Sequence, residues 1–171
     1  RGLGDVYKRQ SRARAAGIKT VGIMVEVPST ALRSSQVLEP VDFASIGTND
    51  LTQYAMAADR LQGELAELLT PWQPAVIQLI KATCDGAGER LIGVCGEAAG
   101  DPLLALVLVG IGVRSLSMAA GKITAAKAAL SRHSLEQCRQ IADAALVACS
   151  PEEARKAALE LADPSVEVLV S

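Results

Sequence analysis

Aromatic residues are nearly absent from this 171-residue sequence: Trp72, Tyr7, Tyr54 and Phe43 make up 2% of it. So few rings exclude the stacking platforms on which single-stranded nucleic acids and sugars are held. A basic excess is lacking as well. The 17 Lys and Arg stand against 19 Asp and Glu, a formal net charge of -2, whereas a nucleic-acid-binding domain shows clustered positive charge. No apolar run is long enough for a membrane span: Leu103 to Val113 is interrupted by Gly110 and Gly112 and reaches about half of the ~20 residues required. The four cysteines, Cys84, Cys95, Cys138 and Cys149, include no C-x-x-C pair, which excludes the common metal and redox spacings. No signal peptide is recognisable, so the expectation is reduced thiols in a cytoplasm.

What is present is apolar and aliphatic. Half of the residues are hydrophobic and 21% are charged, which excludes a disordered chain. Ala, Leu, Val, Ile and Gly dominate, a composition suited to helices packed on buried parallel strands. The length fits one domain, or part of a larger one. Residues 1-10 carry neither apolar periodicity nor a cap signal; they read as an artefact or a disordered terminus and are set apart from a partial domain at 11-171.

From Ser11 onward the pattern is regular. Thr20 to Glu26 is rich in β-branched residues and reads as a strand buried on both faces, and the apolar runs Val41 to Ile46, Leu91 to Cys95 and Val113 to Met118 read as three more strands. Helical spacing follows each: a helix opening at Pro28, one capped by Asp50 and starting at Leu51, Pro74 to Ala87, and Leu103 to Leu108. Ile123 to Leu130, Ser134 to Ala148 and Pro151 to Leu161 are Ala-rich and helical, and 163-171 is a tail without an assigned state. Strand, turn, helix repeated four times argues for parallel β/α units with right-handed crossovers. Four units make a small open sheet or half of an eight-stranded barrel. In either, the carboxyl ends of the strands form the functional rim.

Polar residues collect at those ends. Glu26 and Asp50 each follow an apolar run, and two readings stand: a shared Mg²⁺ site completed by substrate oxygens, or two carboxylates capping the next helices. Gly47-Thr-Asn-Asp50 is either a phosphate-meeting turn, with Asn49 adding an amide donor, or a plain loop. Arg60 is a candidate oxyanion ligand or a surface residue paired with Asp59 or Glu64. Cys95 lies between glycines in Gly93-Val-Cys-Gly-Glu97, where a thiol can donate a proton, or it is a buried structural residue. Cys84, Cys138 and Cys149 read as packing residues. His133, the one histidine, reads as a solvated loop residue, so a histidine-dependent step needs a group from outside this chain.

Taken together, Gly22-Ile-Met-Val-Glu-Val-Pro28, Ser45-Ile-Gly-Thr-Asn-Asp-Leu-Thr-Gln-Tyr54, Ala58-Asp-Arg60, Gly93-Val-Cys-Gly-Glu97 and Leu116-Ser-Met118 resemble, in this order, the motifs of the PEP-utilising enzymes. Within that family the resemblance is greatest to the enzyme I branch, the phosphoenolpyruvate–protein phosphotransferases of the bacterial sugar phosphotransferase system. It is strong from Gly17 to Leu130 and weak in the C-terminal helices. The resemblance implies an α/β fold, the C-terminal half of a (β/α)8 TIM barrel of about four β/α units plus C-terminal helices, binding phosphoenolpyruvate (PEP) and Mg²⁺. It implies Glu26 and Asp50 as Mg²⁺ ligands, Asn49 on the substrate phosphate or carboxylate, and Arg60 on the transferring phosphoryl group. Cys95 would be the acid that protonates the enolate to give pyruvate.

The same resemblance implies a phosphoryl acceptor histidine on a separate N-terminal domain, a histidine phosphocarrier protein as partner, and a homodimer. The earlier strands, with further arginines, and the phosphohistidine domain have no counterpart in this chain. The chain alone is therefore expected to be inactive and, with unpaired sheet edges, to aggregate or pair with another copy. Two rivals stand beside this reading. One is the PEP/pyruvate domain of a phosphoenolpyruvate synthase or pyruvate phosphate dikinase. The other is a non-catalytic regulatory module that kept the fold.

Overall fold

Four parallel strands lie side by side in chain order, β1 (Gly22–Val25), β2 (Phe43–Gly47), β3 (Leu91–Cys95) and β4 (Ser115–Ser117). This is a computed structural model and it describes residues 3–170. Each crossover carries helix: α2 (Pro28–Leu32) and α3 (Ser34–Val37) after β1, α4 (Thr48–Ala55) and α5 (Pro74–Gly86) after β2, and α6 (Pro102–Ile111) after β3. Beyond β4 come α7 (Ala120–Leu130), α8 (Leu135–Leu146), α9 (Pro151–Leu161) and α10 (Glu167–Val170). Sequential parallel order without a reversal is consistent with a partial α/β barrel.

The register sorts the strand residues into two faces. Val25, Ala44, Ile46, Ile92 and Val94 are buried against the helices. The other face carries Gly22, Phe43 and Leu91 in one row and Met24, Ser45, Gly93 and Ser115 in the next. Met24, Phe43 and Leu91 on this second face are exposed. Alternation of this kind follows from the two-residue period of a strand. The strand edges of β1 and β4 pair with nothing among the described residues.

On the helical side the core is filled by Leu38, Leu51, Ile77, Ile80, Leu103, Leu106 and Ile141, all within 1% of full burial. Helix α6 is apolar all round, and every residue from Pro102 to Leu108 is buried. A helix of that kind needs cover on its outer side, and α8 and α9 supply it. Its ends follow the local chemistry. Asp101 caps it, accepting the N–H groups of Leu103 and Leu104 at 2.9 and 3.1 Å, and Gly112 closes it at φ 118°. Ser134 and Gln137 form a capping box at the start of α8.

Several sequence expectations are corrected. The first and last strands are shorter than their apolar runs, covering Gly22–Val25 and Ser115–Ser117; ahead of β1, Val21 and Asp42 bond to each other outside the ladder. Helix α4 begins at Thr48, not Leu51, with Gly47 at the cap position; Asp50 lies in its first turn and caps nothing. At the start of the described residues α1 runs from Leu3 to Ala15 and half-buries Val6, Gln10 and Ala13 along one stripe. Residues 1, 2 and 171, parts of the decapeptide and the tail, lie outside the described residues. The tail folds as a 3-10 turn over Pro164–Val166, with Val166 fully buried, followed by α10.

Candidate functional site

The carboxyl ends of the strands continue the register of the open face. Gly47, Cys95 and Ser117 stand in one row. Glu26, one residue past Val25 of β1, adds to it by the same two-residue period. Gly47 leaves room for this: a Cβ there would stand 3.0 Å from Glu26 Oε1 and 3.1 Å from Met24 Cε. The Glu26 carboxylate therefore leans over the end of β2. Among the described residues it has no hydrogen-bond or ion-pair partner.

Asp50, in the first turn of α4, accepts a bond from Arg60 Nη2 at 3.1 Å, with side chains 36% and 57% exposed. The sequence partners considered for Arg60, Asp59 and Glu64, are not used. Asp59 instead closes its own turn by accepting the Leu61 N–H at 2.9 Å. An exposed pair of this kind adds little to stability, so Arg60 is readily exchanged onto another oxyanion.

Asn49 bridges two loops. Its Oδ1 accepts the Glu97 N–H at 3.1 Å, and the neighbouring Thr48 Oγ1 donates to the Cys95 carbonyl at 2.8 Å. Gly96 makes this approach feasible. It adopts φ 93°, and a Cβ there would lie 2.7 Å from both Asn49 Oδ1 and Thr48 Oγ1. Cys95 is half-buried, and its thiol donates to the Ile46 carbonyl at 3.5 Å.

An open cleft of about 1060 Å³ lies over these strand ends, lined by Asn49, Cys95, Glu97, Ser117, Lys122 and, further out, Trp72, Asp101 and Arg155. The structure thus brings Asn49 and Cys95 together in one cleft. Glu26, Asp50 and Arg60 do not line it. Trp72, Asp101, Lys122 and Arg155 were missed in the sequence. Asp101-Pro102 is a helix-start signal that could have marked the first two of these; Arg155 comes from α9 and had no local signal.

Two hard carboxylates at adjacent strand ends, one of them without a protein partner, suit a cation such as Mg²⁺ that keeps water and substrate oxygens as its other ligands. Among the described residues no three His, Cys, Asp or Glu side chains converge as a closed metal site.

The remaining thiols and the histidine separate by environment. Burial pushes the Cys84 thiol up to about 12, and Cys138 is buried with its thiol also raised. Cys149 is exposed, which corrects its reading as a packing residue. His133 is not a free loop side chain. Its Nδ1 lies 2.8 Å from the Ala129 carbonyl, and its Nε2 accepts the Asp163 N–H at 2.9 Å. An acceptor at Nε2 requires the neutral ring with the proton on Nδ1.

Comparison with known proteins covers most of the chain. A family profile described as the PEP-binding domain of PEP-utilising enzymes matches residues 6–135. The phosphoenolpyruvate-protein phosphotransferase of Streptomyces coelicolor is 51% identical over 148 residues, 85% of this chain and 27% of that protein. The protein of the same name from Geobacillus stearothermophilus is 42% identical over 151 residues, 87% of this chain and 26% of its own length. A multiphosphoryl transfer protein of Xanthomonas campestris is 45% identical over 137 residues, 79% of this chain and 16% of that protein. The chain thus spans about a quarter or less of the length of these relatives. No described helix is long and apolar enough to cross a membrane.

Proposed function

The chain belongs to the PEP-utilising enzymes, and from that premise we propose that it is the carboxyl-terminal half of a (β/α)8 barrel that binds phosphoenolpyruvate with Mg²⁺. The enzyme it serves would be a phosphoenolpyruvate–protein phosphotransferase, which passes the phosphoryl group to a protein histidine and releases pyruvate. The names of the reported relatives favour this branch over the synthase and dikinase. The observation that carries the reading is the single row at the strand ends: Glu26 leaning over Gly47, then Cys95, with Asn49 and Asp50 rising from the turn between them.

Each residue has a distinct part. Glu26 and Asp50 would hold Mg²⁺, which neutralises charge on the phosphoryl oxygens when bound. Asn49 spends its carbonyl oxygen on Glu97, which leaves its amide hydrogens for a substrate oxygen. Arg60 leaves Asp50 for the transferring phosphoryl group, where a guanidinium gives bidentate contacts. As the phosphorus–oxygen bond breaks, the electron pair passes into the enolate of pyruvate. The Cys95 thiol gives its proton to the methylene carbon, and solvent returns a proton to the thiolate.

The acceptor histidine lies outside this chain, since both ring nitrogens of His133 are committed. Four further β/α units would cover the exposed Met24, Phe43 and Leu91 and pair the edges of β1 and β4. The phosphocarrier partner and homodimer belong to the same proposal.

Binding tests it. Calorimetric titration of the barrel completed with its upstream half should show PEP binding that requires Mg²⁺ and is lost in Glu26→Gln and Asp50→Asn. Undiminished Mg²⁺-dependent binding in both variants would remove the pair from the site.

A further inference from the structure

The segment between α4 and α5 carries Arg60, and almost nothing buries it. None of residues 59-70 is buried, and Leu61 is 88% exposed. At its start Ala57 takes φ 50° and Ala58 is buried. At its far end Trp72 is 4% exposed, and its Nε1–H donates to Asp101 Oδ2 at 2.9 Å. The other oxygen of that carboxylate accepts the two N–H groups that open α6. The stretch from Cys95 to Asp101 is short and passes through the buried residues Ala98, Ala99 and Gly100. One carboxylate therefore ties the Arg60 segment to the loop that carries Cys95 and Glu97.

We propose that Trp72 and Asp101 are positioning residues for the phosphoryl-binding edge of the cleft: their bond sets the segment that presents Arg60 at a fixed distance from the Cys95 loop. This deepens, and rests on, the function proposed above. Between its two ends the segment is tied to α4 by the exposed Arg60–Asp50 pair, which is too weak to orient a segment by itself, and to the start of α5 at Leu68, whose carbonyl accepts Gln73 Nε2 at 3.1 Å. The anchor is different. It joins the indole N–H of a 4% exposed Trp72 to a carboxylate that is itself fixed by the start of α6, and a bond to a carboxylate is stronger than one between neutral groups. When substrate draws Arg60 away from Asp50, the Trp72–Asp101 bond still joins the end of the segment to the stretch that follows Cys95.

The test uses a chimera in which residues 17-171 replace the matching span of the Streptomyces coelicolor relative, with Trp72→Phe, Asp101→Asn and the double variant. Phe keeps the ring in its pocket, and Asn keeps an oxygen for the helix cap. The expected result is a KM for PEP raised about tenfold in each single variant, the scale of one charge-assisted hydrogen bond. kcat should change much less, and the double variant should be no worse than either single one. Amide exchange across residues 59-70 should rise, with exchange in α8 and α9 unchanged. A lowered unfolding temperature with unaltered KM and unaltered exchange in the segment would overturn the proposal, as would additive effects. If the unmodified chimera turns over no PEP, the function proposed above fails, and the exchange data alone decide the positioning.

Discussion

Asn49 Oδ1 accepts the backbone N–H of Glu97 at 3.1 Å, and this bond stitches the loop after β2 to the loop after β3. It also orients the Asn49 amide, and the function proposed above has its hydrogens meet a substrate oxygen. Asn49→Asp keeps the acceptor and removes the two donors. Its stability should stay within about 0.5 kcal/mol of the parent by urea denaturation. PEP affinity should fall at least tenfold, since a carboxylate would then face an anionic substrate. Unchanged affinity would mean that the amide hydrogens touch no substrate oxygen.

Gly96→Ala attacks the same stitch from the other side. A Cβ at φ 93° is strained, and it would press on both Asn49 and Thr48 at 2.7 Å. Destabilisation of about 1–3 kcal/mol is expected from the backbone alone. Denaturant midpoints measure it, and Gly63→Ala, where a Cβ would meet nothing within 4 Å, is the control.

Acid stability should depend on Asp42, at the amino-terminal end of the sheet and far in the register from the rim. The Val21 N–H, and then the Arg14 guanidinium, hold its carboxyl below the ordinary value of 3.8. A depressed carboxyl contributes stability above the unfolded-state value, and that contribution fades as pH falls through the folded value. Asp42→Ala should therefore unfold more easily than the parent at pH 7, with the gap narrowing as pH falls below 3.8. A difference that does not narrow in acid would contradict this.

Thiol labelling separates the cysteines. Cys149 is exposed and should react first with a maleimide in the folded chain. Cys84, pushed up to about 12, and buried Cys138 should label only on unfolding. Peptide mapping reads the order, and early labelling of Cys84 would show that α5 does not bury it.

Much of this fold was legible because its signals are local. The apolar runs ending at Cys95 and at Ile46, the Pro at the first turn of α2, α5, α6 and α9, and Gly112 after α6 each act within a few residues. The placement of the candidate residues was legible for the same reason, since Glu26, Asn49, Asp50 and Cys95 all lie at or just past the end of a strand. What escaped is non-local. The Arg60 partner is set by a chain reversal around Ala57 and lies ten residues back at Asp50. The Trp72–Asp101 bond spans 29 residues, and the His133–Asp163 bond spans 30. No periodicity reports such pairings. Helix α1 escaped because its buried stripe holds Gln10 between Val6 and Ala13, which weakens the apolar period.

The central claim is that the strand-end row transfers a phosphoryl group from PEP and protonates the product. It is tested most directly by pyruvate release from PEP in the completed barrel, with Mg²⁺ present or chelated, for the parent, Asp50→Ala and Cys95→Ala. The account predicts release that requires Mg²⁺ and falls at least a hundredfold in each variant, the scale of losing a general acid or a charge-neutralising ligand. Full activity in either variant would contradict it and remove that residue from the mechanism.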